Sequence, residues 1–173
     1  LSAADPEALF VADAGMNTVV RVDLSTGRAR PVARFAGIPT GAPAIPFAEP
    51  VPNSVHAYGE QLLVTQLAGV PFVPGTSRVQ ALDPRTSAVE PFIFGLSSAM
   101  DIAWQERPGA APIFYVLEFS ASLAGNPPLP GRLKRYDSPD GVVFVDNLVT
   151  PTSMALDAAS QSLFIAERAT GNI

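Results

Sequence analysis

A small set of side chains in this chain has the types and spacing to do chemistry. Asp13, Gln66, Glu118 and Glu167 each close a short apolar run: Leu9-Phe10-Val11-Ala12-Asp13, Leu62-Leu63-Val64-Thr65-Gln66, Phe114-Tyr115-Val116-Leu117-Glu118 and Leu163-Phe164-Ile165-Ala166-Glu167. Asp101 opens another kind of run, in the place that Ser54 and Ser153 hold in theirs. Carboxylates converging from several copies of one unit, here Asp13, Asp101, Glu118 and Glu167, can bind a hard cation such as calcium through oxygen ligands. One such residue per copy is also what a structural repeat contains, each carboxylate accepting hydrogen bonds from the backbone of its own loop. His56 is the only histidine, and an imidazole can work as a general base near neutral pH. Ser54 lies two residues away on the same strand without a nucleophile-elbow context, so no Ser–His–Asp arrangement is legible. No phosphate loop, paired metal-ligand histidines or dinucleotide fingerprint is present.

These residues recur with the elements that carry them. Phe10, Leu63, Tyr115 and Phe164 align at a period of about fifty residues, the signature of a radial β-repeat with one blade per copy. Each copy divides into four strands, counted from the ring centre outward. First strands are Ser54-Val55-His56-Ala57, Asp101-Ile102-Ala103-Trp104 and Ser153-Met154-Ala155-Leu156, with Leu1-Ser2-Ala3 as the stub of an earlier one. The apolar doublets are second strands. Third strands are Val19 to Asp23, Arg78 to Asp83 and Arg132 to Asp137, and each ends in an Asp that enters a hairpin of Ser, Thr, Pro and Gly. Such residues supply the backbone hydrogen bonds and positive φ angles that tight turns need. Fourth strands run from Arg30 to Phe35, Val89 to Phe94 and Val142 to Val145. Alternation is blurred because a blade packed between two neighbours is buried on both faces. The expected fold is all-β: a β-propeller of four-stranded antiparallel blades, about three blades with partial blades at both ends, in repeats 1–50, 51–97, 98–150 and 151–173.

Composition agrees with many short strands. The 173 residues are 47% hydrophobic and 16% charged, with 18 Pro and 13 Gly, a punctuation that suits long helices badly. A net charge of −5, with the few Lys and Arg scattered, argues against nucleic-acid or anionic-membrane binding. No window has the length of an apolar membrane span, and no signal peptide is visible, which leaves export open. Without cysteine there are no disulfides, thiol nucleophiles or Cys-ligated metals.

The string from Phe10 to Asp23, followed by Ser25-Thr26-Gly27, resembles repeats of the NHL and gluconolactonase-like propellers. Thr65 to Gly75, Arg78-Val79, Met100 to Ala103, Tyr115 to Phe119 and Pro151 to Leu156 are similar to the ScyD/ScyE family, over essentially the whole chain. The resemblance implies a six-bladed propeller of which this is about half, the remainder coming from a longer chain or a second copy. The chain departs from the family pattern at His56 and in the short turn Tyr58-Gly59-Glu60. A gluconolactonase-like enzyme would use a metal to polarise an ester carbonyl, which makes a metal-dependent hydrolase or lactonase the alternative function.

The leading expectation is a non-catalytic binding or structural module, extracellular or exported. Connections from second to third strand and from blade to blade emerge on one face, and those are the enlarged ones: Leu67 to Ser77, Phe119 to Gly131, and Ala36 to Asn53. Stiff apolar projections such as Val70-Pro71-Phe72-Val73-Pro74 and Asn126-Pro127-Pro128-Leu129-Pro130 lose little entropy on docking. Val70, Phe72, Val73, Pro74, Pro127, Pro128 and Leu129 are therefore the expected contacts for a protein or small apolar ligand, unless they pack over the ring mouth as a lid. Trp104 reads as core rather than as a stacking platform, and His56 as a satisfied or channel-facing residue.

Overall fold

Short β-branched and aromatic runs stopped by Gly, Pro, Asp or Ser form strands throughout, and the computed structural model, which describes residues 5–173, has no helix among them. The proposed stub Leu1-Ser2-Ala3 lies outside the described residues. A first sheet holds β1 (Ala8–Asp13), β2 (Thr18–Asp23) and β3 (Ala29–Arg34); a short hairpin, β4 (Ile38–Ala42) and β5 (Ile45–Ala48), follows. Next come β6 (Pro50–Tyr58), β7 (Gln61–Ala68), β8 (Ser77–Leu82) and β9 (Val89–Leu96), then β10 (Ala99–Arg107), β11 (Ala110–Glu118), β12 (Gly131–Tyr136) and β13 (Val142–Leu148). The chain closes with β14 (Pro151–Asp157) and β15 (Ser162–Glu167). Every sheet is an antiparallel meander in sequence order, the pattern of a propeller blade. The expectation that residues 36–53 form an interblade loop needs correction: most of this stretch is the β4–β5 hairpin, and β6 already begins at Pro50. Ile38 and Ala48 pack on Ala68 of β7, so the hairpin has its own small apolar contact.

Side-chain parity on the second strand builds the cores between blades. In β7, Leu62 and Val64 point back to Val19, Val32 and Phe35 of the first blade. Leu63 points forward to Ile102 and Val116 of the third. In β11, Val116 faces back while Leu117 faces forward, where it meets Leu133 and Met154. Alternate residues thus serve two different cores, which is why the run from Leu62 to Gln66 is buried without a break.

Each of the three described inner strands, β6, β10 and β14, carries a β-bulge in its first half. The ladder passes from Pro52↔Gln66 to Ser54↔Thr65, from Ala99↔Glu118 to Asp101↔Leu117, and from Pro151↔Glu167 to Ser153↔Ala166, so Asn53, Met100 and Thr152 are the extra residues. A bulge leaves backbone groups outside the ladder, and at Met100 the neighbouring blade meets one of them: Thr65 Oγ1 donates to the Met100 carbonyl at 3.0 Å. Ser77 Oγ accepts the Ala99 N–H at 2.8 Å, and Asn53 Nδ2 donates to the Ala99 carbonyl at 3.1 Å. At the outer hairpins, Asp23 accepts the backbone N–H and hydroxyl groups of both Ser25 and Thr26. The Ser25 hydroxyl, then that of Thr26, hold its carboxyl far below the usual range.

Candidate functional site

The antiparallel order puts the β7–β8, β11–β12 and blade-to-blade connections on one face. In the β7–β8 loop the Phe72 N–H donates to Gly69 O at 2.9 Å and Thr76 Oγ1 donates to Val73 O at 2.6 Å. Val70 projects with 63% of its surface exposed, Pro74 is exposed, and Phe72 and Val73 are half-buried. Phe72 takes φ +57°, a left-handed conformation uncommon for a bulky side chain. In the β11–β12 loop Pro127, Pro128 and Leu129 are all exposed, and the loop closes on itself through Leu129 N–H to Ser122 O, Ala121 N–H to Pro130 O and Ser120 Oγ to Leu129 O. A cleft of about 260 Å³ opens beside it between Pro128, Leu129 and Val149. At its base a side chain on Gly131 would strike the Pro151 ring and come to 2.7 Å from Phe119 O, so only glycine admits this close approach of loop and next blade.

The carboxylates that end the second strands serve the backbone. Glu118 is fully buried, accepts the Ser97 N–H and pairs with the Arg132 guanidinium. Glu167 accepts the Val149 N–H at 2.6 Å, the corresponding connection one blade on, and the Thr170 hydroxyl. Asp13 accepts the Met16 N–H of its own loop at 3.0 Å. Among the described residues no three His, Asp or Glu side chains gather as cation ligands. Asp13, Asp101, Glu118 and Glu167 are not brought together among the described residues, and the carboxylates of Asp101, Glu118 and Glu167 are engaged at both oxygens by N–H and O–H donors.

What the structure does bring together is His56 and Asp101. The blades approach one another along their inner strands, and across that seam His56 Nε2 on β6 lies 2.7 Å from Asp101 Oδ1 on β10. Asp101 Oδ1 also accepts the Ile102 N–H at 2.9 Å, and Oδ2 accepts the Met154 N–H of β14 at 2.9 Å. A buried carboxylate with three donors is fully satisfied, and it ties three successive blades together. Its His56 partner keeps 40% of its side chain exposed. Trp104 sets its ring edge-on to His56, with centroids 6.5 Å apart, and edge-on to Tyr58 at 5.2 Å. Trp104 packs against the interblade core, as expected, and also walls a cleft shared with His56. Sequence reasoning missed this pair because the partners lie on different blades. The available signal was an Asp where sibling inner strands carry Ser, next to a strand with the sole histidine two positions on.

No protein-family model matches the chain, and no curated protein does. Among solved structures the chain is similar to TolB from Acinetobacter baumannii, with 21% identity, a TM-score of 0.46 and 93% of this chain covered. The chain spans 34% of that protein's length.

Proposed function

We propose that this chain is a non-catalytic β-propeller module that binds a protein or a flat apolar ligand on its long-loop face. The observation that carries this reading is the state of the two loops: both are fastened by their own hydrogen bonds, yet they leave Val70 63% and Leu129 53% exposed. An apolar projection that is already ordered has little conformational entropy left to lose on docking. The left-handed Phe72 supports it too, since such backbone outliers concentrate at binding sites. Val70, Phe72, Val73 and Pro74 form one contact and Pro127, Pro128 and Leu129 the other. Membership of the ScyD/ScyE family, a six-bladed NHL-like ring and an exported or extracellular location complete the reading, on the sequence strings quoted above.

The test replaces residues 70–74 or 126–130 by Gly-Ser segments and follows binding of 1-anilinonaphthalene-8-sulfonate, an aromatic dye with one sulfonate that reports apolar surface, with circular dichroism as the control for folding. Weaker binding by each folded variant is expected. Binding unchanged in both overturns the proposal.

A further inference from the structure

We infer that the channel-wall cleft holding His56 and Trp104 binds an apolar small molecule that carries a hydroxyl group, the hydroxyl hydrogen being donated to His56 Nδ1. Asp101 has only acceptors to offer, so the ring nitrogen facing it, Nε2, carries the hydrogen. In the neutral form of the ring Nδ1 is then the lone pair, on a side chain that keeps 40% of its surface exposed, the arrangement by which a carboxylate fixes a histidine tautomer for use at its other nitrogen. Nδ1 has no hydrogen-bond partner among the described residues. The link from Asp101 to the following blade does not need the ring, because the Met154 N–H supplies it; the ring adds the link back to β6 through Nε2 alone.

The surroundings select the ligand. Ile102, Met154, Leu156 and Trp104 wall a cleft of about 300 Å³ around the imidazole, within the range of small-molecule sites. Apolar walls with one exposed acceptor match an apolar body with one donor. An anion would meet the Nδ1 lone pair and no cationic side chain in the lining. An ammonium would lose its hydration against apolar walls, with the Asp101 carboxylate buried and engaged and the Glu106 carboxylate held on the Trp104 indole N–H. A neutral hydroxyl meets neither penalty.

His56 is the only histidine and Trp104 the only tryptophan, so each gives a single signal in the cleft. The experiment titrates the 173-residue chain with benzyl alcohol and cyclohexylmethanol and with their methyl ethers, reading Trp104 fluorescence and the nitrogen and carbon-bound hydrogen resonances of the imidazole, at a pH where the ring is neutral. The free protein is expected to show the Nε2–H tautomer. Both alcohols should move both signals, and both ethers should bind about tenfold more weakly, the worth of one hydrogen bond. His56→Phe should erase the difference between alcohol and ether while the fold survives, since Asp101 keeps its two backbone donors. Asp101→Ala, which removes the acceptor that fixes the tautomer, should bring in the Nδ1–H form and reduce the preference for alcohol, a change that a purely structural role for Asp101 would not produce. An Nδ1–H tautomer in the free protein, equal affinity for alcohol and ether, or no response to either overturns the inference.

Discussion

Leu62 and Leu9 hold the same place in their blades, as do Val64 and Val11, yet their surroundings are opposite. Leu62 is 1% and Val64 0% exposed, while Leu9 is 49% and Val11 46% exposed. Forward-facing Leu63, at 0%, has its counterpart in Phe164, at 49%. The strands do not differ in sequence character; the neighbour does. In this architecture burial belongs to the junction between blades rather than to a blade, as expected for repeats that each bury only against the next.

Substitution at the paired positions tests that reading most directly. Leu62→Ala should cost about 2–5 kcal/mol of unfolding free energy, because it opens a cavity in a closed junction. Leu9→Ala should change stability by no more than about 0.5 kcal/mol, as for an exposed site. Equal losses in urea denaturation would break the comparison. The carboxylates sharpen it at a smaller scale. Glu118→Gln leaves the Arg132 guanidinium without its buried counter-charge and should cost about 3 kcal/mol. Glu167→Gln keeps an acceptor for the Val149 N–H at a half-exposed site and should cost less than about 1 kcal/mol; thermal denaturation of both variants gives the ranking.

The smallest effect belongs to the hairpins, which no junction covers. Asp23 is held low by the Ser25 and Thr26 hydroxyls, Asp83 by the Arg85 N–H and Asp157 by the Ser160 hydroxyl. Their folded values lie below the unfolded one near 3.8, so their stabilisation is complete above that pH and fades as pH falls below it. Asp23→Asn should lower stability slightly at neutral pH and converge with the parent at low pH, so that the acid limb of the stability–pH profile flattens; a profile identical to the parent counts against the assignment.

The blades were legible because their second strands are apolar on both faces, and an unbroken apolar run repeated every fifty residues survives any uncertainty about register. The third strands were legible through the Asp that starts each hairpin, a local device that needs no distant partner. The β4–β5 hairpin was not, since Ile38-Pro39-Thr40-Gly41 and Ile45-Pro46-Phe47 are short and carry Pro and Gly. The bulges at Asn53, Met100 and Thr152 were hidden because one extra residue resets the parity that a period-two reading depends on. The recurrence of a carboxylate or amide at the second-strand ends was visible, but its use was not: whether an acid faces a cation, a guanidinium or a backbone N–H depends on residues that the fold brings from tens of positions away. His56 and Asp101 are the sharpest case, each unremarkable on its own strand.

The side-chain links across the inner seam have a consequence for solvent exchange. The amide hydrogen of Ala99 is held by Ser77 Oγ and that of Met154 by Asp101 Oδ2, each from the preceding blade. Amides bonded within a sheet exchange when a blade unravels, but these two can also exchange when intact blades merely part. Their deuterium uptake, set against that of ladder amides such as those of Val64 and Val116, therefore separates two kinds of opening that a melting curve would merge into one.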